Sequence, residues 1–233
     1  MSINSRQIEN WKQFCKVDLV SFFQTPDWYL LWYDQSAISL LEFLSKEQKV
    51  ILPLVKVRQA KGMINQYISS PAYTYGGLLM DHRQPSQELM NQIQNKLNKY
   101  SNIYVLNNPF SKHPIFNQND QFTQLIRLDQ ITSSTLNNWS KHHQRNFNKS
   151  KNEKLVVKLS NEWFDWKSYF DLYAHVSNIR ETGSANTYKE EIFEGIFSLK
   201  EHQRKLWLCF RENKLVSGIL CCLLYTSPSP RDS

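Results

Sequence analysis

Acidic side chains are in short supply here: 21 Asp and Glu stand against 28 Lys and Arg, giving a formal charge of +7 and a pI near 9.1. That balance favours anionic partners such as nucleic acid, nucleotide phosphates or an anionic membrane surface. Apolar runs are short, and none reaches the roughly 18 residues that a membrane-crossing helix needs. The opening MSINSRQIENWKQF lacks the basic-then-apolar order of a secretory leader. The sequence therefore predicts no transmembrane segment and a cytoplasmic location. Cysteine is sparse as well. Cys15, Cys209, Cys221 and Cys222 have neither CxxC spacing nor a neighbouring His cluster, which argues against a metal site or a disulfide framework and reads them as buried thiols. Against these shortages, 41% hydrophobic and 13% aromatic residues over 233 positions suffice for a packed core, in one large domain or two of ordinary size.

Helix and strand signals alternate along the chain. TPDWYLLWYDQ reads as a helix with Thr25 as N-cap and Pro26 at the first helical position. AISLLEFL and KVILPLVKVR flank the polar SKEQ, which is a hairpin signal. NQYISSPAYTYGGLLM follows as a strand broken at Tyr75-Gly76-Gly77, then a polar helix from about Gln84 to Tyr100 and two strands, NIYVLNN and FTQLIRLD. The second half restarts with TSSTLNNWSKHHQRNFNKSKNEK, helical and basic, and a strand LVVKLS. Next comes a helix that places Trp163, Trp166, Phe170, Tyr173 and Val176 on one face, expected to be core. Gly183 stops it, and a further helix runs from about Lys189 to Lys200.

KLWLCF-REN-KLVSGIL then repeats the grammar of the first hairpin. Leu41, Phe43, Glu47, Lys49 and Val50 are echoed by Leu208, Phe210, Glu212, Lys214 and Leu215. Both hairpins follow helices, so two copies of one α/β unit in tandem are expected.

Five segments carry a family resemblance: FFQTPDWYLLW, SPAYTYGGLL, HHQRNFNKSKNEKLVV, YFDLYAHVSNIRETG and LWLCFRENKLVSGIL. In this order they resemble the FemAB-like branch of the GNAT acyltransferase superfamily, from about Phe22 to Leu220. The resemblance implies an α/β (α+β) fold of tandem GNAT-type domains, each a mixed sheet flanked by helices, with ligands in the groove between them. It places the first domain over 1–130 and the second over 131–221. It implies an acyl- or aminoacyl-transferase acting on a cell-envelope precursor, a peptidoglycan peptide or a polysaccharide amine. The acyl donor would be aminoacyl-tRNA or acyl-CoA, with no permanently bound cofactor, and peripheral membrane association is compatible with such an acceptor. The family pattern continues beyond this point with further strands and a helix, so the second domain is expected to be incomplete and the chain as it stands inactive. CLLYTSPSPRD, moreover, is what translation of a transposase adapter used for sequencing libraries gives, so 222–233 is expected to be foreign to the gene.

The basic helix holds Lys141, Arg145, Lys149, Lys151 and Lys154 against the lone Glu153. Arg145 and Lys149, four apart, share a helical face and could address one phosphate group; a solvated cationic face is the alternative. The resemblance implies the first, since a basic residue near Lys149 is where peptidoglycan-ligating members hold the diphosphate of a nucleotide-linked acceptor. His142 and His143 are adjacent and diverge, so no metal is expected. Gly76 and Gly77 would let backbone approach a ligand while Tyr75 stacks or donates a hydrogen bond, or they form a structural bulge. Arg180 is a further substrate-binding candidate, with stabilisation of a helix C-terminus as its other role. One departure matters: four residues after Trp28 the peptidoglycan-ligating members carry a phosphate-binding lysine, where this sequence has Trp32. No glycine-rich coenzyme A loop stands in either half. A nucleic-acid-binding protein using the basic helix, with no aromatic partners near its cations, is the rival of a different class.

Overall fold

A computed structural model describes residues 3–16, 20–59, 62–80, 85–109, 133–179 and 188–222. They fall into two compact units, within 1–120 and 121–223. The expected boundary at 130 lies outside the described residues.

In the first unit, α1 (Ser5–Phe14) starts at a capping box in which Asn4 and Gln7 satisfy each other's backbone N–H groups. Helix α2 (Pro26–Trp32) is capped by Thr25, with Pro26 in the first turn where no N–H is needed. β1 (Ile38–Leu44) and β2 (Lys49–Gln59) then form an antiparallel hairpin with Leu41 opposite Leu52 and Phe43 opposite Val50. The far edge of β2 is shared: β3 (Ile64–Ile68) takes Val55 to Gln59, and β4 (Leu79–Met80) takes Val50 and Ile51. After α3 (Gln87–Leu97) the chain returns as β5 (Ile103–Tyr104), parallel to β3. The strand expected through NQYISSPAYTYGGLLM breaks earlier than read, at Ser69, because Pro71 and a run of buried hydroxyl residues leave the ladder there.

Alternation along the hairpin gives it two apolar faces. Leu41, Phe43, Val50, Leu52 and Leu54 pack against Leu89, Ile93 and Leu97, which recur every four residues along α3. Each of these three contributes about 1.5–3 kcal/mol relative to exposure. Ile38, Ile51 and Val55 are buried on the opposite face, the side of α1, where Lys49 Nζ lies 5.4 Å from the Phe14 ring.

Among the described residues the second unit begins with a 3-10 turn over Ser133–Asn138 and α4 (Lys141–Asn152). The single basic helix read from the sequence is thus split, because the Ser140 side chain accepts from His143 N and caps a new start. β6 (Val156–Ser160), α5 (Trp163–Ile179), α6 (Glu190–Phe197), β7 (Arg204–Arg211) and β8 (Lys214–Cys222) follow. The sheet order is β6-β7-β8, antiparallel throughout. Glu212 and Asn213, with φ of 50° and 63°, join β7 to β8 in a two-residue turn whose positive dihedrals match the strand twist. Leu206, Leu208 and Ser160 are buried on the α5 side. There Trp166 Nε1 donates to Ser160 O and the Tyr169 ring crowds Gly218. The other face carries Val157, Leu159, Trp207 and Ile219, 40–63% exposed. Among the described residues β8 pairs with β7 alone.

The architecture is mixed α/β, two sheets flanked by helices. Three sequence readings are corrected. Of the five α5 residues expected to be core only Trp166 is buried; Trp163, Phe170 and Tyr173 are half-buried and Val176 is 38% exposed. Of the four cysteines only Cys15 is buried; Cys209 on the central strand β7 and Cys221 and Cys222 on β8 are half-buried. The hairpin echo holds at the turn, where Phe210 pairs with Leu215 as Phe43 pairs with Val50. It does not hold in facing: Leu41 looks toward α3 whereas Leu208 looks toward α5, the reversal that a one-residue slip produces.

Candidate substrate site

The predicted site residues occupy two places, one in each unit. Tyr75, Gly76 and Gly77 lie in the segment that leaves β3 and reaches β4. Ser69 and Ser70, both buried, begin it. Ser69 accepts from the Tyr29 hydroxyl through its carbonyl oxygen and from Leu106 N through its side chain, at 2.9 Å for the latter. Ser70 Oγ and Thr74 Oγ1 are 2.6 Å apart, and Thr74 Oγ1 accepts from Trp28 Nε1 at 3.1 Å. Gln24 links the layers: its amide donates to Gly76 O at 2.9 Å and accepts from Asn108 Nδ2 at 2.8 Å, while its backbone carbonyl accepts from Trp11 Nε1 at 2.8 Å. Buried polar groups must find such partners, and here they come from three stretches of chain. Burial pushes the Tyr29 hydroxyl well above its ordinary pKa, and Ser70 offsets this only in part.

This network explains the paired glycines. Gly76 donates its N–H to Leu106 O, and a Cβ on it would overlap the Ser69 carbonyl. Gly77 has φ of +84°, open to glycine at no steric cost. Both backbone groups of Gly76 are therefore engaged within the protein. Between Ile68, Ser69, Ser70, Thr74, Tyr104 and Leu106 a cavity of about 10 Å³ remains, room for one water. Tyr75 is half-buried, its ring edge-on to Phe23 at 5.2 Å, and burial raises its pKa while a bond to Ser21 lowers it.

Arg145 and Lys149 stand on α4, which buries none of its residues. Lys141, Arg145 and Lys149 recur every four residues, so they form one cationic ridge about 6 Å apart along the axis. Trp139, His143 and Phe147 form a ladder on a different side of the helix, with ring centroids 6.4 and 6.1 Å from Trp139, and Lys151 Nζ lies 4.6 Å from the Phe147 ring. The expectation that this helix has no aromatic neighbours is thereby corrected: His143 and Phe147 on α4 and Trp139 just before it lie on a different side from Lys141, Arg145 and Lys149, while Lys151 sits over the Phe147 ring. Glu153, its one carboxylate, faces Arg211 at 3.4 Å. His142 bonds Asn146 at 3.0 Å, and among the described residues no group of three or more His, Cys, Asp or Glu could hold a metal ion. Arg180 lies outside the described residues. Trp32, at the position where a lysine would be expected, packs edge-on against Trp28 at 5.4 Å.

Sequence reasoning missed Arg204. It is buried, its guanidinium 4.9 Å from the Trp166 ring and 4.5 Å from Phe197, with Nε donating to Leu199 O at 3.1 Å and Nη1 without a hydrogen-bond partner among the described residues. Burial lowers its pKa, and Glu201 opposes this. A single Arg at a strand start carries no signal of such enclosure. No protein-family model and no curated protein matches this chain.

Proposed function

We propose that this chain is an acyl- or aminoacyl-transferase of the FemAB-like type, acting on an anionic cell-envelope precursor by direct transfer. The observation that carries the reading is the recurrence of one element order, helix-helix-hairpin, as α1-α2-β1-β2 and again as α5-α6-β7-β8. Tandem GNAT-type domains account for that order, and the parallel return of β5 beside β3 across α3 suits a GNAT-type first half. The reversed facing of Leu41 and Leu208 limits the match to elements and pairings.

In this reading Arg145 and Lys149 hold the charged portion of the acceptor, because both are exposed and share a face, and Glu153, four residues on, faces Arg211. Tyr75 contributes through its half-exposed ring, and Gly76 and Gly77 act by shaping the segment that carries it. Arg180 belongs to the proposed binding set on resemblance alone. In the reaction the acceptor amine attacks the carbonyl of an aminoacyl ester or acyl thioester. A C–N bond forms, the C–O or C–S bond breaks, and the amine proton passes to a base or water while the tRNA hydroxyl or the thiol departs. The donor is transient, so no cofactor is retained. Among the described residues no helix is long and apolar enough to cross a membrane; the proposed setting is the cytoplasm, with the acceptor at or near the membrane face.

A second reading, binding of a nucleic-acid backbone without catalysis, draws on the same ridge and on Trp139, 45% exposed just before α4. Transfer separates the two. Labelled amino acid from charged tRNA or labelled acyl group from acyl-CoA is expected to appear on a precursor amine. Salt-sensitive RNA binding with no transfer from either donor would favour the second reading.

A further inference from the structure

From Gln48 to Met80 the sequence contains no acidic residue. Within that stretch β2 and β3 run past the rest of their sheet. β1 pairs no further than Val55, and β5 meets β3 only at Tyr67 and Ile68. The rungs Val57–Gln66, Arg58–Asn65 and Gln59–Ile64 therefore form a two-stranded arm, stiffened by a bond between the side chains of Gln59 and Gln66. Near the end of this arm Gly62 has φ of +93°, and Met63 and Ile64 are 82% and 49% exposed. Met63 precedes β3 and Ile64 opens it, and two adjacent large apolar side chains so exposed are out of pattern. Arg58, exposed, and Lys56, half-buried, sit behind them on one face of the arm.

We propose that this arm is a membrane-contact element, with Met63 and Ile64 entering the boundary between headgroups and acyl chains of an anionic bilayer while Lys56 and Arg58 stay at the phosphate level. Among the described residues of the arm the pair Met63 and Ile64 lies farther out than the cations Lys56 and Arg58, with no carboxylate, an order that matches the layers of such a surface; Ala60 and Lys61 lie outside the described residues. A nucleic acid would use the cations and leave the tip idle, since neither Met nor Ile offers a ring for base stacking. An apolar protein pocket would use the tip and leave the charge idle. The inference does not rest on the transfer reading, and its failure leaves that reading as it stands.

Flotation of the whole chain tests it, because vesicle-bound protein rises while any aggregate sinks. The chain is expected to float with phosphatidylcholine vesicles containing phosphatidylglycerol and to stay at the bottom with phosphatidylcholine alone. Met63→Ser with Ile64→Ser should lower the partition coefficient about tenfold or more. Lys56→Gln with Arg58→Gln should lower it roughly fivefold per charge and reduce its salt dependence. Arg145→Gln with Lys149→Gln should leave it unchanged. Absence of flotation with anionic vesicles, equal flotation with neutral ones, undiminished flotation of the Met63/Ile64 variant, or loss of flotation on changing α4 alone would each overturn the proposal.

Discussion

In the first unit the hairpin β1/β2 is sandwiched: α3 covers one face through Leu89, Ile93 and Leu97, and the other holds Ile38, Ile51 and Val55 out of water on the α1 side. In the second, β7/β8 is lined on the α5 side by Trp166, Tyr169 and the buried Leu206 and Leu208, while Val157, Leu159, Trp207 and Ile219 face outward. Antiparallel sheets tolerate one wet face when its residues are polar. Here the wet face is apolar and ends at a strand paired on one side among the described residues, so the second unit draws its stability from one layer and exposes an associating surface.

The largest effect should come from removing the centre of each layer. Trp166→Ala loses the ring under Arg204 and the bond to Ser160 O, and Trp11→Ala loses the bond to Gln24 O and the edge contact with Tyr29 at 4.8 Å. Each should cost about 3–5 kcal/mol. Amide exchange within each unit is expected to show each loss in its own sheet; equal losses in both from either substitution would erase the contrast.

Glycine substitutions come next. Gly76→Ala sets a Cβ against the Ser69 carbonyl, which is backbone and cannot swing aside, so a loss at or beyond about 3 kcal/mol is expected. Gly218→Ala meets the Tyr169 ring at 2.6 Å, a side chain that can turn, and should cost about 1–3 kcal/mol. Gly62→Ala meets nothing within 4 Å and bears only its positive φ, about 1 kcal/mol. Denaturant midpoints of the three variants should fall in that order.

A pH effect belongs to the second unit. Burial pushes the Asp165 carboxyl up, but Ser160 Oγ at 2.5 Å and Lys158 Nζ at 2.9 Å outweigh it and hold the pKa below its ordinary value. A depressed folded pKa stabilises the native state above the unfolded value, near 4, and that contribution disappears as pH falls through the folded value. Melting below pH 4 should lose this increment, and Asp165→Asn should flatten that part of the profile.

The smallest stability effect is expected on the open face. Ile219→Lys should change stability within about 0.5 kcal/mol while lowering self-association measured by light scattering. A collapse of the fold would mean that Ile219 is packed, contrary to its 63% exposure.

Local chemistry was readable from the sequence where it acts over a few residues. Thr25-Pro26 announced the start of α2, and two β-rich runs around SKEQ announced the first hairpin. The four-residue spacing of Arg145 and Lys149 likewise placed both on one exposed side of α4. What needs distant partners was not readable. Gln24 is buried because its amide meets Gly76 and Asn108, 52 and 84 residues away. Paired glycines that invite a ligand reading prove to be required by the approach of Ser69 and by a positive φ. Ser140 could have been recognised as an N-cap, and Trp139, four residues before His143 and eight before Phe147, as part of a helical ladder. Arg204 could not, since its enclosure depends on rings contributed by α5 and α6.

Calorimetric titration of the chain with a peptide precursor linked through a diphosphate to a nucleotide most directly tests whether α4 serves an envelope acceptor. Binding that weakens at least tenfold in Arg145→Gln with Lys149→Gln, and is unchanged in Lys56→Gln with Arg58→Gln, is the predicted result. Binding of equal strength in the α4 variant, or none in the unaltered chain, would contradict it.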